Sequence, residues 1–390
     1  MQKFIYADNS ATTQLSDRAL NAMLPYLKEG YGNPSSIYSL GREAKRAVEK
    51  ARSEIAEILG AEEKEIFFTS SGSESDNWAI KGALQRLKGR GKNHLIVSAI
   101  EHHAVLTTAE KLQKEGFEVS FIPVNDKGFV DPKDVEKEIK DTTALVSIIY
   151  VNNEIGTIQP IPEIAKICKD KGVWFHTDAV QAAGHLSLNV KDLGVDMLSV
   201  SAHKFHGPKG VGALYIRKGI SIENLITGGG QERGRRAATE NVAGIVGMAE
   251  ALKEAYENIE EKEEKAGALR DKLLDLLKDV PRTYVNGSME NRVPGNLNIS
   301  FEGVEGEAIL LSLDFKGIMA SSGSACTSGS LDPSHVLLAI GRPHEIAHGS
   351  VRFSLTHENT DEEIEYIANS TKEVIEKLRA MSPVWENLIK

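Results

Sequence analysis

Val173-Trp174-Phe175-His176-Thr177-Asp178 and Met197-Leu198-Ser199-Val200-Ser201-Ala202-His203-Lys204 are two short apolar runs that each end on polar, ionisable side chains. Val173–His176 and Met197–Ser201 read as strands, and so do His94–Ile100, Leu145–Val151 and Phe67–Thr69, since each is a short apolar run bounded by polar punctuation. Helical patterns lie between them. In Pro162–Lys171, for example, Ile164, Ala165, Ile167 and Cys168 share one face. Strands alternating with helices predict βαβ units and a mostly parallel sheet, hence an α/β fold.

Open parallel sheets bind ligands at the carboxyl ends of their strands. Here Ile100 is followed by Glu101-His102-His103, and Val151 by Asn152-Asn153-Glu154. His176 runs into Thr177-Asp178, with Gln181 close behind, and Ser201 into Ala202-His203-Lys204. Any one of these is as readily an ordinary satisfied polar residue, but four on one edge mark a site. Phe67–Thr69 leads into Ser70-Ser71-Gly72-Ser73-Glu74-Ser75, where a helical pattern begins near Ser75. Glycine and serine at a helix start suit a phosphate, although alone the segment reads as an N-cap. A second glycine-rich stretch, Gly228-Gly229-Gly230, is followed by Arg233, Arg235 and Arg236. Neither is a Walker A loop and no GxGxxG follows a strand, which argues against a nucleotide.

Beyond Thr239, a plausible N-cap, a helical stretch runs from Asn241 to about Val280 and can connect two domains. Asn296–Phe301 then reads as a strand, Glu305–Leu313 as a helix, Ser350–Ser354 as a strand and Asp361–Met381 as a closing helix. The expected division is a large domain over 15–260 and a smaller α+β domain built from 1–14 and 261–390. The 390 residues, 41% of them hydrophobic, suffice for both cores. A formal net charge of −10 argues against nucleic acid or an anionic membrane as the main partner. No apolar run is long enough to span a bilayer or to serve as a signal peptide, so a cytoplasmic setting is expected.

A lysine at one strand end, an aspartate at another and an anion site at a third are what pyridoxal 5'-phosphate requires. Lys204 is the candidate for its Schiff base. Asp178 is the candidate partner of the pyridine nitrogen, where a carboxylate keeps the ring protonated and electron-accepting. The chain has two cysteines, too few for a disulfide framework. Cys168 lies on the apolar face of a helix and reads as packing. Cys326 sits in Ala320-Ser321-Ser322-Gly323-Ser324-Ala325-Cys326-Thr327-Ser328-Gly329-Ser330, a small, polar segment with little to pack a thiol against, which points to nucleophilic chemistry.

These segments resemble those of the cysteine desulfurases that serve iron–sulfur cluster assembly and nitrogenase maturation. The resemblance covers nearly the whole chain. It is carried by Tyr6-Ala7-Asp8-Asn9-Ser10-Ala11-Thr12-Thr13, Gly32-Asn33-Pro34-Ser35-Ser36, Glu101-His102, Asn152-Asn153-Glu154-Ile155-Gly156, His176-Thr177-Asp178-Ala179-Val180-Gln181, Ser201-Ala202-His203-Lys204 and Ser322-Gly323-Ser324-Ala325-Cys326-Thr327-Ser328. It implies the aspartate-aminotransferase-like fold, pyridoxal-phosphate fold type I, and a homodimer. It implies that Lys204 holds the cofactor, His102 stacks on its ring, Asp178 meets the ring nitrogen and Gln181 the phenolic oxygen. Gly72, Ser73, Ser201 and His203 would hold the phosphate, joined by Thr239 of the partner subunit. Asn33, Asn153 and Arg352 would bind the carboxylate of L-cysteine, with Asn153 also against the cofactor. Cys326 would take the sulfur and pass it to an acceptor or cluster-scaffold protein.

Three departures stand out. Ser70-Ser71-Gly72-Ser73 replaces the usual Ser-Gly-Ala-Thr, Arg236-Ala237-Ala238-Thr239 the usual Arg-Ser-Gly-Thr, and Thr356-His357 the usual Gly-Arg after Leu355. The rival readings are a selenocysteine lyase or a small-substrate aminotransferase of the same fold, and a non-catalytic sulfur relay. A metal protein using His102, His103, His203, His206 and Cys326 matches no compact zinc spacing, so no metal is expected.

Overall fold

The computed structural model describes residues 4–323 and 333–388. In chain order its strands are β1 (Ile5–Tyr6), β2 (Ile66–Thr69), β3 (His94–Ser98), β4 (Glu118–Ile122), β5 (Thr143–Ser147) and β6 (Trp174–Asp178). They continue with β7 (Met197–Ser201), β8 (Gly212–Ile216), β9 (Thr283–Val285), β10 (Asn296–Phe301), β11 (Ile318–Met319) and β12 (Ser350–Ser354). The main sheet has seven strands in the order β2-β8-β7-β6-β5-β3-β4. Only β8 runs against the rest. The mostly parallel α/β sheet expected from the sequence is therefore present.

Side chains alternate across a strand, so one strand feeds two cores. Leu95 and Val97 pack into one apolar cluster and Ile96 into another; Leu145 and Val146 divide the same way, as do Leu214 and Ala213. Helix Ser39–Leu59 covers one face, burying Ala44, Val48, Ala51, Ile55 and Leu59 at helical spacing. It ends where Gly60 turns left-handed at φ 67°. Helices Gly72–Lys88 and His103–Lys114 cover the opposite face. A separate cluster joins Ile5 and Ala7 to Leu269, Leu273, Leu297, Ile299, Phe301, Phe353, Ile364 and Ile367. It packs around the antiparallel sheet β12-β10-β9 and the closing helix Asp361–Ala380. That helix begins with a capping box between Thr360 and Glu363.

The structure corrects two local readings. The long helix expected over 241–280 is two helices, Val242–Tyr256 and Ile259–Leu277. Asn258 breaks it by adopting the left-handed conformation at φ 55°, which asparagine tolerates better than most residues. The N-cap is Asn241, whose Oδ1 accepts from the Gly244 N–H at 3.1 Å, and not Thr239. The expected strands Met197–Ser201, Asn296–Phe301 and Ser350–Ser354 are present with those bounds, while β6 extends through Asp178 and β3 and β5 stop at Ser98 and Ser147. Among the described residues, no helix is long and apolar enough to cross a membrane.

Cys168 is fully buried on helix Ile161–Asp170, as its place on an apolar face implied. Burial pushes its thiol up to about 12. It should therefore resist iodoacetamide at pH 8 in the folded protein and react only after denaturation, as peptide mapping would read. Cys168→Ala should cost about 1–2 kcal/mol in urea unfolding, from the small cavity left behind.

Candidate functional site

Five strand ends deliver polar groups to the same edge of the main sheet. β2 leads to helix Gly72–Lys88, capped by Ser71 Oγ, which accepts from the Glu74 N–H. The first turn of a helix leaves N–H groups without intrahelical partners, and the helix dipole favours an anion there. A Cβ on Gly72 would lie 2.6 Å from Val180 Cγ2, so glycine lets this turn approach the loop after β6. Beyond β3, His102 caps helix His103–Lys114, its Nδ1 accepting from the Ala104 N–H at 3.1 Å. A neutral imidazole whose Nδ1 accepts carries its proton on Nε2. Burial, and then the charge of Lys204, hold His102 down at about 4. His203 is held at about 4 for the same reasons in the same order.

Lys204 lies in the short turn after β7. Its Nζ donates to the carbonyls of Ser10 at 2.5 Å and Ala11 at 2.7 Å. Gln181 Nε2 donates to the same Ser10 oxygen at 2.8 Å. Asp178, the last residue of β6, accepts from the Val180 N–H at 2.9 Å. Burial raises its carboxyl, while that N–H and Lys204 pull it back. The cavity between these groups measures about 190 Å³ and is lined by Gly72, Ser73, His102, Asp178, Lys204 and Arg352. Asn153, Gln181, Ser201 and His203 line it as well, so ten of the expected site residues meet here.

Arg352, on β12, is almost fully buried. Its Nη2 pairs with Asp8 Oδ1 at 2.8 Å. Its Nη1 donates to the carbonyls of Asn153 and Gly323, each at 3.0 Å. A guanidinium has five N–H donors. These three contacts leave Nε–H and one Nη2–H, and Nε has no partner among the described residues. Two adjacent donors are what a carboxylate takes bidentately.

Two expected residues lie elsewhere. Asn33 is exposed, its Oδ1 accepting from the Ser35 N–H. Thr239 is exposed and lines a different cavity with Ser70, Glu232 and Arg236. Cys326 lies outside the described residues. The chain on either side of residues 324–332 is fastened near the site: Gly323 accepts from Arg352, and Ser334 Oγ donates to the buried Glu154 carboxylate. The sequence reading missed Asp76, which lines the cavity from helix Gly72–Lys88, and the anchoring roles of Asp8, Ser10 and Ala11. Asp76, His102 and Asp178 form the one group of metal-capable side chains among the described residues, with one ligand atom of each within 4.8 Å of the others. Thr356 and His357 stay outside this cavity. Thr356 braces a turn with Asn359, and His357 borders a second cavity of about 320 Å³ beside His185 and His206.

The aminotransferase class-V family model matches residues 5–367. This chain belongs to that family. It is 54% identical to a protein of Clostridium botulinum named cysteine desulfurase IscS, over 100% of this chain and 99% of that one. Among solved structures, a NifS-like protein aligns with a TM-score of 0.91 at 41% identity, covering 96% of this chain and 100% of its own. A structure described as SspA in complex with cysteine aligns with a TM-score of 0.81 at 36% identity, over 91% of this chain and 99% of that one. The fold is that of the pyridoxal-phosphate enzymes of fold type I, as the resemblance implied.

One departure now has a structural consequence. Ala238, where the resemblance expects glycine, stands at φ 123°, a region in which a Cβ is strained. Ala238→Gly should therefore raise the unfolding free energy by about 1 kcal/mol, seen as a higher urea midpoint at unchanged slope.

Proposed function

We propose that the chain is a cysteine desulfurase that uses pyridoxal phosphate, converts L-cysteine to L-alanine and collects the sulfur on Cys326. The observation that carries the reading is the meeting of Lys204, Asp178 and a two-donor guanidinium in one cavity of a chain similar along its whole length to proteins of that name. The cavity fits the cofactor on its own chemistry. It offers an amine, a buried carboxylate, and a glycine-serine helix start close to Ser201. When bound, pyridoxal phosphate draws electrons from the Cα of the amino acid attached to it.

The chain's own residues supply the rest. With the cofactor in place, the Lys204 amine would be placed to take the Cα proton. Asp178 would keep the ring nitrogen protonated, and His102 keeps a proton on Nε2 at the cavity wall. The helix start at Gly72 and Ser73, with Ser201 and His203, would hold the phosphate. Arg352 orients the substrate through its carboxylate, beside Asn153. The Cys326 thiolate attacks the substrate sulfur; the S–S bond forms as the Cβ–S bond breaks. The net change is cysteine plus a Cys326 thiol giving alanine plus a Cys326 persulfide, which balances without an external oxidant. A thiol acceptor then takes the sulfur.

We also infer a homodimer. Leu20, Leu24, Leu27, Tyr31, Ile37 and Tyr38 are large exposed apolar residues within one short stretch, and a partner would cover them. Exposed Thr239 would then be free to serve the partner's phosphate site, and Asn33 the substrate. The separate apolar clusters support the division at 15–260 against 1–14 with 261–390. A cytoplasmic setting suits a persulfide-carrying thiol.

Brief exposure to cysteine without reductant should add the mass of one sulfur to the peptide containing Cys326. Cys326→Ala should retain the visible absorbance of bound cofactor yet release almost no alanine. Undiminished alanine release from that variant would point instead to a lyase that does not need the thiol. Lys204→Ala should lose turnover. Arg352→Lys, which cannot present two parallel donors, should raise KM for cysteine by about 10- to 100-fold while leaving the cofactor spectrum in place.

A further inference from the structure

Asp76 has no part in the chemistry above, yet it borders the same cavity. It is 1% exposed, and its Oδ1 has no hydrogen-bond partner among the described residues. One of its carboxylate oxygens lies within 4.8 Å of one from Asp178. Two carboxylates this close in a buried site do not both ionise readily, because each charge raises the cost of the other. The surroundings decide which one keeps the proton. Asp178 has the Val180 N–H at 2.9 Å and the field of Lys204. Asp76 has the Ser199 hydroxyl and, at 3.6 Å, His176 Nε2.

His176 does not act as a counter-charge. Its ring nitrogens sit against Ser147 Oγ at 2.8 Å and Ser199 Oγ at 2.9 Å, and burial drives it down to about 3, so it is neutral. The remaining titratable neighbours are Glu101, whose charge would further oppose ionisation of Asp76, and His102, which is neutral. Burial first, and then Asp178, hold the Asp76 carboxyl well above the ordinary range.

We propose that Asp76 is a positioning residue for Asp178: it remains a carboxylic acid, so that the pair carries one negative charge and Asp178 bears it toward the ring nitrogen of the cofactor. The proposal rests on the reading of Asp178 given above. It assigns helix Gly72–Lys88 a second task beside its phosphate-binding start, that of setting the charge of the acid across the cavity.

The test uses the apoprotein and the holoprotein in turn. An acid whose folded pKa is raised binds more protons in the folded state, so it lowers stability as pH climbs from about 4 toward that pKa. Asp76→Asn, an uncharged isostere, removes this loss. Its apoprotein should melt roughly 3–8 °C above the parent at pH 8, with the gap closing toward pH 4. Pyridoxal phosphate should bind Asp76→Asn within about threefold of the parent, whereas Asp178→Asn should bind about 100-fold more weakly. Should Asp76→Asn fail to fold, Asp76→Ser, also uncharged, takes its place. A melting difference that does not change with pH, or an affinity loss at Asp76→Asn matching that at Asp178→Asn, would overturn the proposal. If the parent itself binds no pyridoxal phosphate, the functional reading fails, while the melting profiles still decide the protonation of Asp76.

Discussion

The ammonium of Lys204 is gripped by the carbonyls of Ser10 and Ala11, and much of the site depends on that contact. The stretch around these residues belongs to two structures at once. Ile5 and Ala7 are packed in the smaller apolar cluster, and β1 pairs with β11. A few residues later, Thr13 N–H donates to the His203 carbonyl, Thr12 meets His203 Nδ1, and Gln181 reaches Ser10. The N-terminal segment is thus a seam joining the small sheet to the carboxyl edge of the large one. Carbonyl acceptors orient the Lys204 amine, and leaving them costs it hydrogen bonds. A tight ion pair would hold it harder.

Elsewhere buried charge is met by opposite charge. Arg352 is matched by Asp8, whose second oxygen accepts from Ser321 Oγ at 2.8 Å. Arg52 and Glu232 form a two-point buried pair at 2.8 and 2.9 Å, and Glu232 also accepts from the Phe68 N–H. Through Glu232, the turn after the glycine-rich stretch at 228–230 is tied to β2 and to helix Ser39–Leu59. An isolated buried charge is costly, so each of these partners is part of what lets its neighbour exist in the interior.

The sheet was legible because its signal is local. Short apolar runs with polar ends need no tertiary information, and their parallel direction follows from the helices between them. The same reading located Lys204, Asp178, His102 and the turn at Gly72, because each stands at or just past a strand end. Asp76 was invisible for the opposite reason. It sits one turn into a helix among Ser75, Asn77 and Trp78, where an aspartate ordinarily faces water, and only the docking of that helix on the sheet buries it. Asp8 and Ser10 were quoted as part of a motif, but their contacts reach Arg352 and Lys204, 344 and 194 positions along the chain. The break at Asn258 was missed because the charged residues around it suit a helix as well as a turn. Roles for Asn33 and Thr239 came from resemblance alone, and a single chain leaves both at the surface.

The pairing of Arg352 with Asp8 also bears on selectivity. A guanidinium with all five donors unmet would be costly to bury and would attract any anion of suitable size. With three donors engaged, two remain, on a group whose orientation is already set from both sides. A bidentate carboxylate matches this remainder. A phosphate or sulfate brings more acceptor atoms than two donors can meet, and in a buried cavity those left over are costly. Burial raises the carboxyl of the buried Glu154, while Ser334 and Arg352 pull it back. The same Arg352 Nη1 holds Gly323, three residues before Cys326. Arg352 therefore also anchors the chain entering the cysteine segment, through the Gly323 carbonyl.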